Sequence, residues 1–254
     1  MLAENEFEMN HHITYYECDP RSFLTVGMMI NLAVLVSGVQ ADHLNAGTEA
    51  ANRVGGGWVI TSYEINVNSL PKMGDDVVLG TRTTSYNKYF AYREFWISDH
   101  NGNEYAHING IFVFMDLTSR KMVQIPDLMI EPYHSKSVKR MPKFGRAQEL
   151  MDEDLTNQKN YRVRYFDIDA NRHVNNSHYF DWMLDVLDAE FLKTHELKKM
   201  LIKYEREVRY GDTVTSQAGI DQNTGADEII TKHQILVDDG INAIANCWWN
   251  ESVS

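Results

Sequence analysis

Several large protein classes are excluded by what this sequence lacks. It has only two cysteines, Cys18 and Cys247, in 254 residues, too few for a disulfide framework or a cysteine-rich metal site. No apolar run approaches the roughly 20 residues of a membrane-spanning helix. The N-terminal segment lacks the basic and apolar regions of a secretory signal. We therefore expect a cytoplasmic protein with neither a metal nor a cofactor.

Positive charge is also scarce. The chain has 24 Lys and Arg against 36 Asp and Glu, a net charge of −12, which argues against a nucleic-acid-binding protein. The motifs GxGxxG, GxxxxGK(S/T) and HExxH are absent, so dinucleotide-binding, P-loop and zinc-protease interpretations have no motif to support them. The apolar fraction of 43% is nevertheless that of a globular protein with a substantial core.

The sequence does contain a long internal repeat. Residues 13–19 (ITYYECD) align without a gap with residues 163–169 (VRYFDID). Both copies predict a short strand that ends in Asp and leads into a long helix, from about Val26 to Leu44 and from about Asn176 to Leu192. Both helices are apolar around most of their circumference, which is typical of buried helices.

Only strands are predicted after each helix. The predicted strands lie near 57–70, 76–87, 89–99, 104–116, 119–124, 200–210, 213–221, 227–237 and 241–250. Turns are predicted at Asn101-Gly102, at 223–225 and at 238–240. The repeat continues here, because residues 63–67 align with 204–208. The pattern predicts an α+β fold of two similar domains, 1–125 and 159–254, joined by a polar linker over 126–158.

One segment carries a specific resemblance. Residues 169–176 (DANRHVNN) resemble the D-x-N-x-H-V-N-N signature of the acyl-acyl-carrier-protein thioesterases. The first half of that family resembles further segments of this chain: residues 58–61, Pro71 with Gly74-Asp75, and residues 93–96, 118–120 and 125–126. The resemblance therefore covers nearly the whole chain in order. It implies a double hotdog fold, with each long central helix wrapped by an antiparallel sheet. It also implies hydrolysis of fatty acyl-acyl carrier protein to free fatty acid, which ends chain elongation in fatty acid biosynthesis.

The signature supplies three polar side chains at alternate positions. Asp169, Asn171 and His173 share one side of an extended or turn segment just before the second helix. We expect a catalytic role for them, together with carbonyl-oxygen donors from the main-chain N–H groups of residues 174–176, namely Val174, Asn175 and Asn176, at the helix start. The alternative is that Asp169 and Asn171 form only a turn and a helix cap.

The fourth expected catalytic residue is Glu207. It matches the functional Glu of a Tyr-Arg-Arg-Glu-Cys run that follows the signature in the family, while Val208 stands where the family has Cys. Because a cysteine nucleophile is thereby missing, we expect Glu207 to activate water as a general base. One extra residue nearby leaves the register open, and Glu205 is the alternative base.

The first copy of the repeat lacks this catalytic set. Asn171 corresponds to Arg21, His173 to Phe23 and Glu207 to Asn66, so one active site per chain is expected. The first half is then free to hold the acyl chain. The expected acyl-binding residues in the first half are Phe23, Met28, Met29 and Leu32.

Acyl carrier protein, the partner that the resemblance implies, is acidic, so it would need a basic surface on this chain. The linker offers one, here called the linker patch: Lys136, Lys139, Arg140, Lys143 and Arg146. A second basic run contains Lys193, Lys198, Lys199 and Lys203, and both could be ordinary solvated faces. The sequence leaves open whether the chain forms a homodimer.

Three other functions compete with this interpretation. An acyl-CoA thioesterase would use the same site with a different carrier. A non-catalytic acyl-binding regulator built on hotdog domains would not need Asn171, His173 and Glu207 together. A hotdog dehydratase would need a His–Asp pairing that the sequence does not match.

Overall fold

A computed structural model describes residues 3–170, 172–221 and 229–252. The chain divides into two compact units. The first comprises Met1–Glu17 and Asn31–Phe144, and the second comprises Cys18–Ile30 and Gly145–Ser254. The predicted domain limits at 125 and 159 stay a prediction. In the described part of the chain, no helix combines the length and the apolar character needed to cross a membrane.

The first unit is built on one sheet that is antiparallel except at its short strand β7. Its strands follow the order β1-β3-β4-β5-β2, with β6 paired to β5 and β7 paired in parallel to β3. The strands are β1 (Glu6–His12), β2 (Gly56–Val67), β3 (Asp76–Tyr86), β4 (Phe90–Ser98), β5 (Glu104–Asp116), β6 (Met122–Val123) and β7 (Lys136–Ser137). The chain between β1 and β2 forms helices α1 (Val26–His43) and α2 (Thr48–Arg53).

The second unit repeats this plan with a five-stranded antiparallel sheet in the order β9-β12-β11-β10-β8. Its strands are β8 (Leu155–Arg162), β9 (His195–Tyr204), β10 (Thr213–Ile220), β11 (Ile229–Val237) and β12 (Gly240–Glu251). Two helices, α3 (Ser177–Asp185) and α4 (Ala189–Thr194), lie between β8 and β9 in the chain. Strand β8 begins inside the stretch predicted as a linker.

Helix α1 confirms the first predicted helix. Met29 and Ile30 are fully buried, and Leu32 is nearly so. The prediction of burial on almost every side is wrong for Val34 and Leu35, which are 46% and 43% exposed. An apolar stripe therefore faces the interior while two apolar residues remain in contact with solvent.

The second predicted helix is not continuous. Helix α3 ends at Asp185, and α4 starts after Asp188. The Asp188 carboxylate accepts a hydrogen bond from the Phe191 main-chain N–H at 2.8 Å, which satisfies a donor at the start of the new helix. The apolar periodicity hid this break because Val186 and Leu187, which lie between the two helices, are also buried.

The predicted strands are largely confirmed, with two corrections near the site. The strand expected over 200–210 is wrong beyond Tyr204, because the N–H groups of Glu205 and Arg206 both donate to the single carbonyl of Asn242, which ends the ladder. Residues 13–19 and 163–169 are also not strands. They contain short 3-10 turns at Tyr15–Glu17 and Tyr165–Asp167, and β1 and β8 precede them. The predicted turn at 223–225 and the first residues of the strand predicted at 227 lie outside the described residues.

A carboxylate closes each of these 3-10 turns. Glu17 accepts a hydrogen bond from the Thr14 N–H at 2.7 Å, and Asp167 accepts one from the Arg164 N–H at 2.8 Å. Burial raises the pKa of both carboxyl groups, but the Thr14 N–H bond for Glu17, and the Arg164 guanidinium followed by the Arg164 N–H for Asp167, hold each pKa below its ordinary value. In each segment a side chain thus accepts a main-chain N–H that a strand ladder would otherwise pair.

Candidate active site

The signature segment forms a tight loop that presents His173. The Asp169 N–H donates to the His173 carbonyl at 2.8 Å, and the His173 N–H donates to Asp169 Oδ1 at 3.2 Å. Arg172 reverses the chain at φ +66°. Ile168 and Val174 form an antiparallel bridge that closes the base of the loop.

The first copy of the repeat makes the same loop. The Asp19 N–H donates to the Phe23 carbonyl at 2.7 Å, the Phe23 N–H donates to Asp19 Oδ1 at 3.0 Å, and Ser22 has φ +66°. This copy has Phe23 in place of the histidine, yet it keeps the aspartate. The two hydrogen bonds between Asp169 and His173 are therefore shared by a copy that has no histidine, and the catalytic role of Asp169 stays a prediction.

Glu207 lies on an irregular segment between β9 and β10 rather than on a strand. Its Oε1 is 3.3 Å from His173 Nε2, and the two side chains are 31% and 29% exposed. Two side chains predicted to be catalytic, from separate segments of the second unit, therefore meet where a water molecule or substrate could reach both.

The position of Glu205 distinguishes it from Glu207. Its carboxylate forms an ion pair with Lys203 on the exposed surface of β9. Of the two candidate glutamates, Glu207 is the one that contacts His173. The geometry thus favours Glu207 as the candidate base.

The helix start differs from the expectation in one respect. The Asn175 N–H is not available to a substrate, because it donates to the Asp167 carbonyl at 2.9 Å. The Asn175 side chain accepts from the Ser177 N–H at 3.1 Å, so this residue organises the first turn of α3. Val174 and Asn176 remain the candidate donors to a substrate carbonyl oxygen. Asn171 lies outside the described residues.

Backbone hydrogen bonds correct the alignment between the two copies. The N–H groups of Asn68 and Ser69 donate to the Tyr105 carbonyl, just as those of Glu205 and Arg206 donate to the Asn242 carbonyl. Gly74 and Asp75 bond Ile13 as Gly211 and Asp212 bond Val163, with the same offset of 137 positions. Glu207 therefore corresponds to Leu70, and the predicted match to Asn66 is wrong.

The candidate acyl-binding residues are divided between the two units. Phe23, Met28 and Met29 belong to the same unit as His173, whereas Leu32 belongs to the first unit. Met29 and Leu32 are buried, while Phe23 and Met28 are half-buried. The Arg21 guanidinium lies 5.6 Å from the centre of the Phe23 ring. The members of the linker patch are all exposed: Lys136, Lys139, Arg140, Lys143 and Arg146.

Neither cysteine is placed as a nucleophile of this site. Cys247 is fully buried on β12, and burial raises the pKa of its thiol, which keeps the sulfur protonated. Cys18 forms an antiparallel bridge with Leu24 in the first copy of the loop. Val208, at the position of the family cysteine, is 1% exposed. Among the described residues, no three His, Cys, Asp or Glu side chains converge to hold a metal.

Comparison with known proteins identifies related sequences along nearly the whole chain. Residues 4–133 match the acyl-ACP thioesterase N-terminal domain, and residues 150–251 match the acyl-ACP thioesterase C-terminal domain. A chloroplastic acyl-acyl-carrier-protein hydrolase of Cuphea viscosissima is 29% identical over 189 residues, which cover 72% of this chain and 46% of the relative. The chain thus spans about half the length of the curated relatives it matches.

Two solved structures are similar over almost the full chain. A protein of Lactobacillus plantarum assigned as an oleoyl thioesterase has 43% identity and a TM-score of 0.95, covering 98% of this chain and 97% of that one. The 12:0-ACP thioesterase of Umbellularia californica has 19% identity and a TM-score of 0.86, covering 98% and 95%. The α+β double hotdog fold expected from the sequence is confirmed.

Proposed function

This chain belongs to the acyl-ACP thioesterase family, and we propose that it hydrolyses the thioester of fatty acyl-acyl carrier protein to release a free fatty acid. The observation that carries the proposal is the contact between His173 Nε2 and Glu207 Oε1 at 3.3 Å. Thioester hydrolysis needs a base for water and donors for the carbonyl oxygen. His173 lies four residues before Ser177, the first residue of α3, and the N–H groups of a helix start can act as such donors.

The reaction proceeds by direct attack of water. Glu207 takes a proton from water as the water oxygen bonds to the thioester carbonyl carbon. The negative charge that develops on the carbonyl oxygen is stabilised by N–H donors at the helix start, with Val174 and Asn176 as candidates. The carbon–sulfur bond then breaks, and the leaving thiolate receives the proton from Glu207, aided by His173. The resemblance gives Asn171 a further role in this set.

We infer different tasks for the signature residues. His173 and Glu207 face each other and are the candidate catalytic groups. Asp169 and Asn175 bond main-chain groups of their own loop, so we infer that they orient the catalytic groups. Water activation by Glu207 also fits the buried Val208, since a cysteine mechanism has no residue at that position.

We assign the carrier as the acidic acyl carrier protein, with the linker patch as one contact surface. A second surface is formed by exposed aromatic residues of the second unit, here called the aromatic rim: Tyr165, Phe166 and Tyr210. They are 73%, 88% and 62% exposed, and Tyr165 contacts both other rings edge to face, with centroid distances of 5.4 and 6.5 Å. Exposed aromatic clusters of this kind favour protein–protein contact.

The charges around the aromatic rim suit an acidic partner. Arg162 and Arg209 flank it, whereas the first copy has His12 and Lys72 at the corresponding positions. Arg164 also lies beside it but forms an ion pair with Asp167. Positive charge is thus concentrated beside the copy that holds His173 and Glu207, in a chain with a net charge of −12. Such local complementarity steers an acidic partner to one face despite overall repulsion.

The sharpest test of the function is a substrate panel. Purified protein is assayed on acyl groups of several lengths, each attached to acyl carrier protein and to CoA. We expect a higher kcat/KM on the carrier protein for every length that is hydrolysed. A preference for CoA would favour the acyl-CoA thioesterase alternative. Binding of acyl chains without turnover would favour a regulator. The cytoplasmic location and the oligomeric state remain predictions from the sequence.

A further inference from the structure

The segment that carries Glu207 has no regular secondary structure of its own to hold it. It leaves β9 after Tyr204, and the strand ladder resumes only at Thr213 of β10. A carboxylate on such a segment is useful as a base only if its backbone is fixed, because a misplacement of about 1 Å can cost about 10²-fold in rate. The residues that fix this segment come from β12 and α3.

Asn242, the third residue of β12, contacts the segment with both its main chain and its side chain. Its carbonyl accepts from the N–H groups of Glu205 at 2.8 Å and Arg206 at 3.1 Å. Its side-chain Nδ2 donates to the Glu207 carbonyl at 3.2 Å, and the residue is only 4% exposed. The side-chain bond therefore reaches the backbone of the candidate base itself.

Tyr179 of α3 holds the next residue. The residue is 4% exposed, its ring packs edge to face on that of Tyr204 with centroids 5.1 Å apart, and the Val208 main-chain N–H faces its hydroxyl group. Burial and the nearby Glu207 charge raise the pKa of Tyr179, so the phenol stays neutral. The Glu207 carbonyl and the Val208 N–H belong to one peptide group, so a buried side chain lies on each side of the peptide group that follows the candidate base.

The first copy of the repeat serves as an internal comparison. It keeps the main-chain part of this arrangement, with Tyr105 in the position of Asn242. It has Leu70 and Pro71 where the second copy has Glu207 and Val208. The proline ring fixes its own φ and offers no N–H. The amide and phenol contacts therefore accompany the copy that carries the carboxylate.

We propose that Asn242 and Tyr179 are positioning residues that hold Glu207 against His173, Asn242 through its bond to the Glu207 carbonyl and Tyr179 through its contacts with Tyr204 and Val208 on either side of Glu207. The proposal rests on the proposed function, in which Glu207 is the base. Neither residue contacts the reacting atoms. Both act through the placement of the carboxylate.

The chain offers a matched control for Asn242. Asn246 lies on the same strand, is also 4% exposed, and donates its Nδ2 to a main-chain carbonyl, that of Gln148, at 3.3 Å. Asn242→Leu and Asn246→Leu each remove a buried amide of similar size, but only the first loses a bond to Glu207. A purely structural role would make the two variants behave alike.

The test measures kcat, KM and thermal midpoint for Asn242→Leu, Tyr179→Phe and Asn246→Leu, alone and in a Glu207→Gln background. We expect Asn242→Leu and Tyr179→Phe to lower kcat about 10- to 100-fold with little change in KM, while Asn246→Leu keeps kcat. In the Glu207→Gln background neither should lower kcat further, since residues that act through one group are not additive. Tyr179→Phe removes one oxygen atom, so it keeps the proposal testable if Asn242→Leu fails to fold.

Two results would overturn the proposal. One is an equal loss of kcat in Asn242→Leu and Asn246→Leu. The other is a loss that multiplies with that of Glu207→Gln. The imidazole NMR signals of His173 give an independent readout, which should move in Asn242→Leu and stay in Asn246→Leu. If Glu207→Gln itself hydrolyses at the normal rate, the assignment of the base has failed, which is distinguishable from failure of the positioning role.

Discussion

His173 Nε2 and Glu207 Oε1 lie 3.3 Å apart, although one side chain comes from the loop before α3 and the other from the segment after β9. The contact joins His173, which belongs to the specific signature of residues 169–176, to Glu207, which lies outside that signature. It also separates Glu207 from Glu205, whose carboxylate pairs with Lys203.

The first prediction concerns these two groups. Glu207→Gln and His173→Ala should each lower kcat by about 10² to 10⁴, the usual effect of removing an acid–base group. Both side chains are partly exposed, so the thermal midpoint should change little. Glu205→Gln is the control and should keep its activity. If instead Glu205→Gln abolished hydrolysis and Glu207→Gln did not, the roles would be exchanged.

The second prediction concerns the cysteines. Cys18→Ala with Cys247→Ala should retain most of the hydrolytic activity, since Val208 stands where the family has its cysteine and the Cys247 thiol is fully buried. The variant should be less stable, because Cys247 is fully buried and its loss leaves a small cavity. Hydrolysis and thermal unfolding measured on the same preparation separate the two effects. Complete loss of turnover in a folded variant would restore a cysteine mechanism.

The third prediction compares the two carrier surfaces. Charge reversal in the linker patch (Lys139, Arg140 and Lys143 to Glu) and beside the aromatic rim (Arg162 and Arg209 to Glu) should raise KM for carrier-bound substrate. Both should also weaken its salt dependence, because exposed charges are screened within about 10 Å at 0.1 M salt. A small uncharged thioester should be hydrolysed as before. An equal loss on both substrates would indicate damage to the fold.

The fourth prediction concerns acyl length. Met29 and Leu32 are buried on α1, and Leu35 on the same helix is 43% exposed. Each buried methylene contributes about 0.8 kcal/mol. Met29→Ala or Leu32→Trp should therefore change the ratio of kcat/KM between substrates that differ by one carbon several-fold, and so move the preferred acyl length. Leu35→Ala is the matched control and should leave the profile unchanged. If only changes in Trp182 or Met183 of α3 shift the profile, the acyl chain follows the second helix instead.

The fifth prediction concerns pH and stability. Burial lowers the pKa of His233 from 6.5 to about 4, and its Nε2 lies 2.8 Å from Thr231 Oγ1. Between about pH 6.5 and 4 the unfolded chain binds a proton that the folded chain excludes. The free energy of unfolding therefore keeps its full value above pH 6.5. It decreases as the pH falls, by about 1.4 kcal/mol per pH unit and by about 3 kcal/mol in all.

Denaturant unfolding across that pH range checks this prediction. His233→Gln removes the titrating group, so its free energy of unfolding should fall less steeply with decreasing pH than that of the parent protein. His100 is exposed, and His100→Gln should leave the slope unchanged. Parallel curves for the parent and for His233→Gln would mean that His233 becomes protonated in the folded state at its ordinary pKa.

The sequence alone determined the family, the repeat and the general order of elements. Residues 169–176 carry a signature in consecutive positions, and the apolar pattern of α1 and the strand alternation are local properties. The loop from Asp169 to His173 is also local, since its hydrogen bonds join residues four positions apart. Such features can be predicted because their causes lie within a few residues of each other.

Only the tertiary structure decided how Glu207 is held and what it contacts. The end of β9 depends on the carbonyl of Asn242, which is far along the chain, so the periodicity of residues 200–210 gave no sign of it. The same distant bonds set the alignment of Glu207 with Leu70. The contact of Glu207 with His173 arises because the turns around it fix the backbone in three dimensions, and no spacing in the sequence encodes that geometry.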